Sequence, residues 1–369
     1  MTPRRLAVIA VLAVLAVGGA LWIAGQRSLE RASPSEILYP DLRAQLDDIQ
    51  RIRIYGPGDE VVVTIDRGDA GWRVLERGGY PADATRLRTL LRSLAQARLI
   101  EEKTAQPANY PALGVEPLTA SDATGARLVL EGPAEPVDLI IGGQAPARGG
   151  SYVRRSGEST SWLADRAFDV PKEPRQWIDR SVIDIGADRI QSARVTRNET
   201  VYEAAKSSRA AADYSVTGLP SGRELSSASA ANSLATAFLR LEADDVQPLS
   251  ALDQTQPEAE ATFRTFDGLV LNLRGYALEG TKYLMLEARA DPELAEKFEL
   301  PVEPDESSPI DATDDGSTTG DPAQDVADEA QRIESKVRGW AYAIPQYKYD
   351  AIFRPIEELL APLSSTDAG

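Results

Sequence analysis

The 369-residue chain contains no cysteine and no histidine, and aromatic residues make up only 6% of it. Without cysteine it cannot form disulfides, thiolate nucleophiles or cysteine-ligated zinc and iron–sulfur sites. Without histidine it lacks the commonest general base and metal ligand, which excludes a Ser-His-Asp triad. No serine stands in a GxSxG elbow or three residues before a lysine, and no GK[ST] phosphate loop occurs. We therefore expect a non-enzymatic protein with no catalytic residue, cofactor or metal.

Acidic residues outnumber basic ones by 57 to 40, and the net charge of −17 argues against nucleic acid as a partner. Ten of the acids lie in residues 301–330, a Pro-, Ser- and Thr-rich segment with no lysine or arginine. This composition predicts a disordered acidic insert. Asp311, Asp315 and Gly316 fit part of a calcium loop, but Thr313 and Pro322 occupy ligand positions, so a solvated spacer is the better interpretation.

An uncharged apolar run from Leu6 to Gly25 follows two arginines near the N terminus. Twenty helical residues span about 30 Å, the thickness of a bilayer's hydrocarbon core. The pattern predicts residues 1–5 in the cytoplasm, residues 6–25 as a single transmembrane anchor and residues 26–45 as a linker. A cleaved signal peptide is the alternative. Arginine predominates over lysine, as in GC-rich bacterial genomes, so we expect an inner-membrane protein with its bulk in the periplasm.

The same order of predicted elements occurs twice. In residues 46–180, alternating strands precede a helix whose predicted N-cap is Asp83 and whose apolar stripe is Leu87, Leu90, Leu91 and Leu94. In residues 181–362, strands precede a second predicted helix with Ala231, Leu234, Phe238 and Leu241 on one face. Residues 93–99 (SLAQARL) and 233–239 (SLATAFL) give the clearest match. The sequence thus predicts an α+β fold, a tandem repeat of a strand-rich unit with one amphipathic helix each, and a tail at 363–369.

Two groups of residues remain as candidates for a site. Two carboxylates are enough for glycoside hydrolysis, and four acidic doublets occur: Asp47/Asp48, Glu101/Glu102, Asp244/Asp245 and Glu357/Glu358. Adjacent side chains point in different directions, so each doublet alone is a poor catalytic pair. A cluster of aromatic residues near the insert is a possible partner or glycan surface: Trp340, Tyr342, Tyr347 and Tyr349.

Several segments together resemble a bacterial family, domain of unknown function 4340. They include the membrane segment and Ile52-Arg53-Ile54, and they continue with residues 71–74 (GWRV), 80–83 (YPAD), 102–110 (EKTAQPANY), 113–116 (LGVE) and 177–185 (WIDRSVIDI). The acidic insert departs from the family pattern. The resemblance implies no catalytic residue, and it implies association with ABC-type permeases of the envelope.

The expected function is therefore a periplasmic, membrane-anchored accessory or scaffold protein of an ABC-type transport or cell-envelope system. The membrane is one expected partner, through residues 6–25, and a permease is another. The alternative is a glycan- or peptidoglycan-interacting protein, in which a pair of carboxylates would catalyse hydrolysis.

Overall fold

The computed structural model describes residues 36–146, 149–298 and 322–362. The chain divides into unit 1, which comprises Met1–Glu76 and Pro81–Trp177, and unit 2, which comprises Arg77–Tyr80 and Ile178–Gly369. Within the described residues the fold is mostly antiparallel sheet with few helices, which confirms the predicted strand-rich α+β class. The predicted anchor (6–25), residues 1–5 and the tail (363–369) lie outside these ranges. No helix in the described ranges is long and apolar enough to cross a membrane.

Ten strands form the first sheet, in the order β1-β6-β10-β9-β8-β7-β2-β3-β4-β5. Their bounds are β1 (Glu36–Ile37), β2 (Arg51–Tyr55), β3 (Val61–Gly68), β4 (Gly71–Val74), β5 (Tyr80–Pro81), β6 (Arg98–Thr104), β7 (Ala126–Glu131), β8 (Val137–Gln144), β9 (Ser151–Arg155) and β10 (Ser161–Ala164). Alternate residues of its central strands are fully buried, as in Ile52 and Ile54 of β2, because one face of this sheet packs into the core.

Helix α1 (Ala84–Gln96) confirms the predicted amphipathic helix of unit 1. Its four stripe leucines are buried, and the carboxylate of Asp83 accepts the N–H groups of Thr85 and Arg86, both at 2.9 Å. This is the geometry of an N-cap, which satisfies backbone donors that have no partner inside the helix.

The segment before β2 corrects the predicted linker at residues 26–45. Glu36 and Ile37 form a strand against β6, and the side chains of Leu38 and Leu42 are buried in unit 1. The folded part of unit 1 therefore begins by Glu36, because burial of the Leu38 and Leu42 side chains is more favourable than their exposure to water. Residues 26–35 lie outside the described residues.

Unit 2 contains an eight-stranded sheet in the order β14-β13-β12-β17-β18-β19-β20-β16, with a separate β11-β15 pair. The bounds are β11 (Ser181–Ile183), β12 (Ile190–Arg197), β13 (Thr200–Ala205), β14 (Ser215–Thr217), β15 (Leu241–Glu242), β16 (Asp245–Pro248), β17 (Ala259–Thr265), β18 (Leu269–Leu278), β19 (Thr281–Ala290) and β20 (Trp340–Ala343). Read from β16 to β14, this order repeats the order of the eight strands from β6 to β4 in the first sheet.

The predicted helix of unit 2 is a 3-10 helix at Ala230–Thr236 instead of an α-helix, so that prediction is wrong in type. The four predicted core residues are nevertheless buried. Asn232, Ser233 and Thr236 have low helix propensity, and no side chain caps the N terminus of this turn. Phe238 follows the helix and Leu241 begins β15.

Three further helices are α2 (Pro292–Lys297), α3 (Pro322–Val337) and α4 (Gln346–Ile352). Helix α3 corrects the predicted disordered insert, because residues 322–330 belong to this helix and Val326 and Ala330 are buried. Composition alone missed this, since the two apolar residues share one helical face between solvated acids. The remaining insert residues, 301–321, lie outside the described residues.

Candidate functional site

The loop between β6 and β7 builds the candidate site on unit 1. Five buried residues form a small core between this loop and the sheet: Tyr110, Val115, Leu118, Ala123 and Ile140. The loop approaches β8 so closely that a Cβ on Gly142 would lie 2.1 Å from the carbonyl oxygen of Leu113. Two of the segments that resemble the family, 102–110 and 113–116, therefore lie in or next to this loop, which packs closely against the sheet.

A row of directly paired residues crosses the sheet beneath this loop. Tyr55 pairs with Arg127, Arg127 with Ile140 and Ile140 with Arg154, so the four side chains share one face. The guanidinium of Arg127 forms a fork with Asp138, at 2.8 and 2.7 Å, and also contacts Asp59 at 3.0 Å. Two carboxylates thus balance the charge of Arg127.

Arg154 has a different environment. It is only 5% exposed, it lies over the ring of Tyr110 at 4.7 Å, and its guanidinium donates to the carbonyl oxygens of Val115 (2.8 Å) and Glu158 (2.9 Å). Its Nη2 atom is buried without a hydrogen-bond partner among the described residues. Burial lowers the pKa of this guanidinium, because desolvation disfavours the charged form.

Glu116 is a carboxylate whose charge acts on Arg154. Its Oε1 accepts the backbone N–H of Thr124 at 2.8 Å, which closes the loop segment between these residues. Its Oε2 is buried without a hydrogen-bond partner in the described part of the chain. The carboxylate attracts the Arg154 charge but lies beyond the 4 Å reach of an ion pair. One hydrogen-bond donor, Arg154 Nη2, and one acceptor, Glu116 Oε2, therefore lack a partner among the described residues in the region of this loop.

A pocket of about 420 Å³ opens beside Arg154. Leu118 and Ile140 supply apolar wall, Arg127 and Arg154 supply cationic groups, and Thr119, Ser156 and Ser159 lie at its polar side. The turn between β9 and β10 is fixed from below, since the Glu158 carbonyl accepts from Arg154 and the Ser159 carbonyl accepts from the Tyr110 hydroxyl. The lining therefore combines apolar wall with groups that can contact a polar ligand.

The corresponding strands of unit 2 carry a different row: Thr196, Glu260, Arg274 and Met285. A hollow of about 220 Å³ lies over it. Arg274 is about half exposed there and pairs with Glu260 at 3.9 Å. The two units thus use the same strand positions for different surfaces, and unit 1 holds the buried cation.

The predicted aromatic surface is not formed. Tyr342 and Tyr349 are fully buried, whereas Tyr347 is 69% exposed and Trp340 packs edge-on against Tyr80 at 4.9 Å. Burial raises the pKa of both buried phenols, which keeps them neutral. Strand β20 and helix α4 direct these rings into the core of unit 2, so the prediction of one four-residue surface is wrong.

The acidic doublets are used in the fold. Asp245 forms a fork with Arg77 at 2.5 and 2.8 Å, and Asp244 pairs with Arg180 at 2.9 Å. Glu101 pairs with Lys103 at 2.7 Å, and Glu358 lies 4.0 Å from Arg354. Asp47 and Asp48 are exposed on a 3-10 helix. Within the described ranges, no group of three or more acidic side chains is arranged to hold a metal ion, and the calcium-like residues 311–316 lie outside those ranges.

Sequence reasoning missed Arg154. One signal was present: Arg154 and Arg155 are adjacent in a strand, so they point to opposite faces. Because the loop covers one face of β9, the arginine whose side chain lies on that face becomes buried. The loop's path over β9 was the information that the sequence pattern did not contain.

Comparison with curated proteins and with solved structures gave no match. The family profile described as Domain of unknown function (DUF4340) matches residues 72–263, which is about half of the chain and extends from within β4 to within β17, with most of the pocket. The chain therefore belongs to the DUF4340 family.

Proposed function

We propose that the protein is a membrane-anchored, extracytoplasmic accessory protein that binds a partner in an ABC-type transport or envelope system and catalyses no reaction. The observation that carries this proposal is the pocket of unit 1, which is lined by Thr119, Ser156, Ser159 and the buried Arg154, a cation with no carboxylate contact among the described residues. The acids that were candidates for catalysis support it too, because three of the four doublets contain a residue in an ion pair.

The proposal includes the anchor at residues 6–25 and a tandem duplication. The apolar run supports the anchor, and the folded unit begins by Glu36, with ten residues (26–35) between it and the end of the run. The shared order of eight strands supports the duplication. The glycan alternative is not retained, since two members of its aromatic surface are buried.

Mild crosslinking of native membranes, followed by affinity purification, tests the proposal. We expect a polytopic permease or another envelope protein to co-purify with the full chain. The control replaces residues 6–25 by an unrelated apolar span of equal length, and this variant should retain the partner because recognition lies in the folded units. Recovery of the monomer alone from crosslinked membranes would contradict the proposal.

A further inference from the structure

We propose that the pocket beside Arg154 binds a carboxylate group, supplied by the C terminus of a peptide or by an acidic side chain of a partner. The inference deepens the proposed function by naming the chemistry of the recognised group. It rests on that function only for the identity of the partner, because carboxylate binding is measurable on the purified chain.

The first argument is the missing counter-charge. Arg127, Arg189 and Arg197 are more exposed than Arg154, and each contacts a carboxylate within the described residues. Arg154, the most buried of them, has no carboxylate within 4 Å in that part of the chain. A buried charge is costly unless it is paired, so an anion is the natural complement of this guanidinium.

The second argument concerns which anion fits. Asp59 and Asp138 already neutralise Arg127, so Arg154 is the one cation at the pocket without a carboxylate contact among the residues described. Glu116 adds negative charge nearby. A phosphate dianion would therefore be repelled, whereas a singly charged carboxylate matches one guanidinium in both charge and planar geometry.

The third argument is the surrounding wall. Leu118 and Ile140 can accept the apolar part of a ligand, and Thr119, Ser156 and Ser159 also line the pocket. Its two lining acids, Asp59 and Glu158, are paired with Arg127 and Arg155. Tyr110 fixes the plane of the guanidinium from below. The orientation of the guanidinium is thus fixed before binding, which reduces the side-chain entropy lost. Nη2 is covered in this conformation, so binding requires a small displacement of the pocket wall.

Glu116 acts as an internal competitor. Its Oε2 and the Nη2 of Arg154 are both buried without a hydrogen-bond partner among the described residues, and the two charges attract each other. A carboxylate ligand has to outcompete this attraction. Neutralising Glu116 should therefore strengthen binding of an anion, and it should weaken binding of a neutral amide, which would donate to Glu116.

The test measures thermal unfolding of the purified full chain in detergent with sodium acetate, against acetamide and against sodium chloride at equal ionic strength. At ten times its Kd, acetate should raise Tm by about 3 °C. Two peptide probes distinguish the sources: an acetylated tripeptide with a free C terminus, and N-acetylglutamate amide. We expect at least one of them to raise Tm more than acetate does.

Arg154→Met should abolish the acetate response and leave the chain folded, because an apolar residue of similar length tolerates burial. Glu116→Gln should increase the response at least twofold in apparent affinity. The control Arg88→Met changes an exposed arginine of α1 and should keep the wild-type response.

An equal response to acetate and acetamide, an unchanged response in Arg154→Met, or no response to any carboxylate probe would overturn the inference. If carboxylates bind but no partner co-purifies from membranes, the inference stands and the proposed function fails. The reverse result removes the carboxylate inference alone.

Discussion

Gly78 has a left-handed backbone with a φ of 65°, and it lies against Pro248 within unit 2. A Cβ there would come within 2.7 Å of the proline ring. The neighbouring Arg77 is held by Asp245, and Tyr80 packs against the ring of Trp340. The segment 77–80 therefore has little room to move away from a new methyl group.

Gly78→Ala should lower the free energy of unfolding by about 3 kcal/mol, the combined effect of a strained backbone and an overpacked contact. Gly79→Ala is the matched control, since Gly79 also has a positive φ of 76° but no atom within 4 Å of its Cβ position. It should cost about 1 kcal/mol. Equal losses in the two variants, measured by urea unfolding, would show that the Pro248 contact is unimportant.

Asp66 makes part of the stability of unit 1 dependent on pH. The hydrogen bond from Arg51, with its Nε 2.5 Å from Oδ1, holds the pKa of the Asp66 carboxyl below its usual value. The stabilisation is complete above the pKa of the unfolded chain, about 4, and is lost as the pH falls through the lower pKa of the folded state.

Asp66→Asn should therefore be less stable than wild type at pH 7, and the difference should shrink as the pH falls below about 4, the pKa of the unfolded chain, and through the lowered pKa of the folded state. Asp69→Asn is the control, because Asp69 is exposed on the neighbouring turn. Urea unfolding across this pH range measures the effect. A wild-type advantage over Asp66→Asn that stays constant from pH 7 to pH 3 would refute this assignment.

At the scale of elements, helix α3 covers an incomplete sheet edge. Of the residues of β19, only Tyr283 and Leu284 pair with β20. Helix α3 also contacts β19. Glu334 accepts the backbone N–H of Ala288 at 2.9 Å, and Glu329 forms a fork with Arg189 at 2.9 and 2.6 Å. Glu334 thereby occupies a backbone donor of the sheet that would otherwise be open to pairing with another chain.

Replacing residues 301–321 by a Gly-Ser linker of equal length should leave the cooperativity and Tm of unit 2 nearly unchanged, because the helix and its ion pair remain. Extending the replacement to residue 330 removes Val326, Glu329 and Ala330 from the helix. We expect this variant to lose several degrees of Tm and to exchange the Ala288 amide faster. Identical hydrogen exchange at Ala288 in both variants would contradict the role of α3.

The helices show how much of the fold the sequence predicts. The sequence predicts the apolar stripe and the N-cap of α1, because both depend only on residues that are close together in the chain. It does not predict helix α3 or the Arg154 pocket, because both depend on contacts distant in sequence: Glu329 with Arg189, and Val115 with Arg154. The 3-10 helix at Ala230–Thr236 lies between these cases, since its burial pattern was predicted and its type was not.

At the scale of the whole molecule, one strand order serves two surfaces. Unit 1 buries a cation at the row position where unit 2 carries Met285, and only unit 2 carries the long acidic insertion between β19 and β20. The net charge of −17 is mostly local, since ten acids lie in residues 301–330.

The central claim is that the protein acts by binding a partner through the pocket of unit 1. Site-specific photocrosslinking in native membranes tests it most directly, with the photoreactive residue at Ser159 and a control at Thr262, which lines the hollow of unit 2. We predict a discrete adduct from Ser159 that disappears when Arg154→Met is added, and none from Thr262. Equal adducts from both positions, or an adduct from Ser159 that persists in Arg154→Met, would contradict the account.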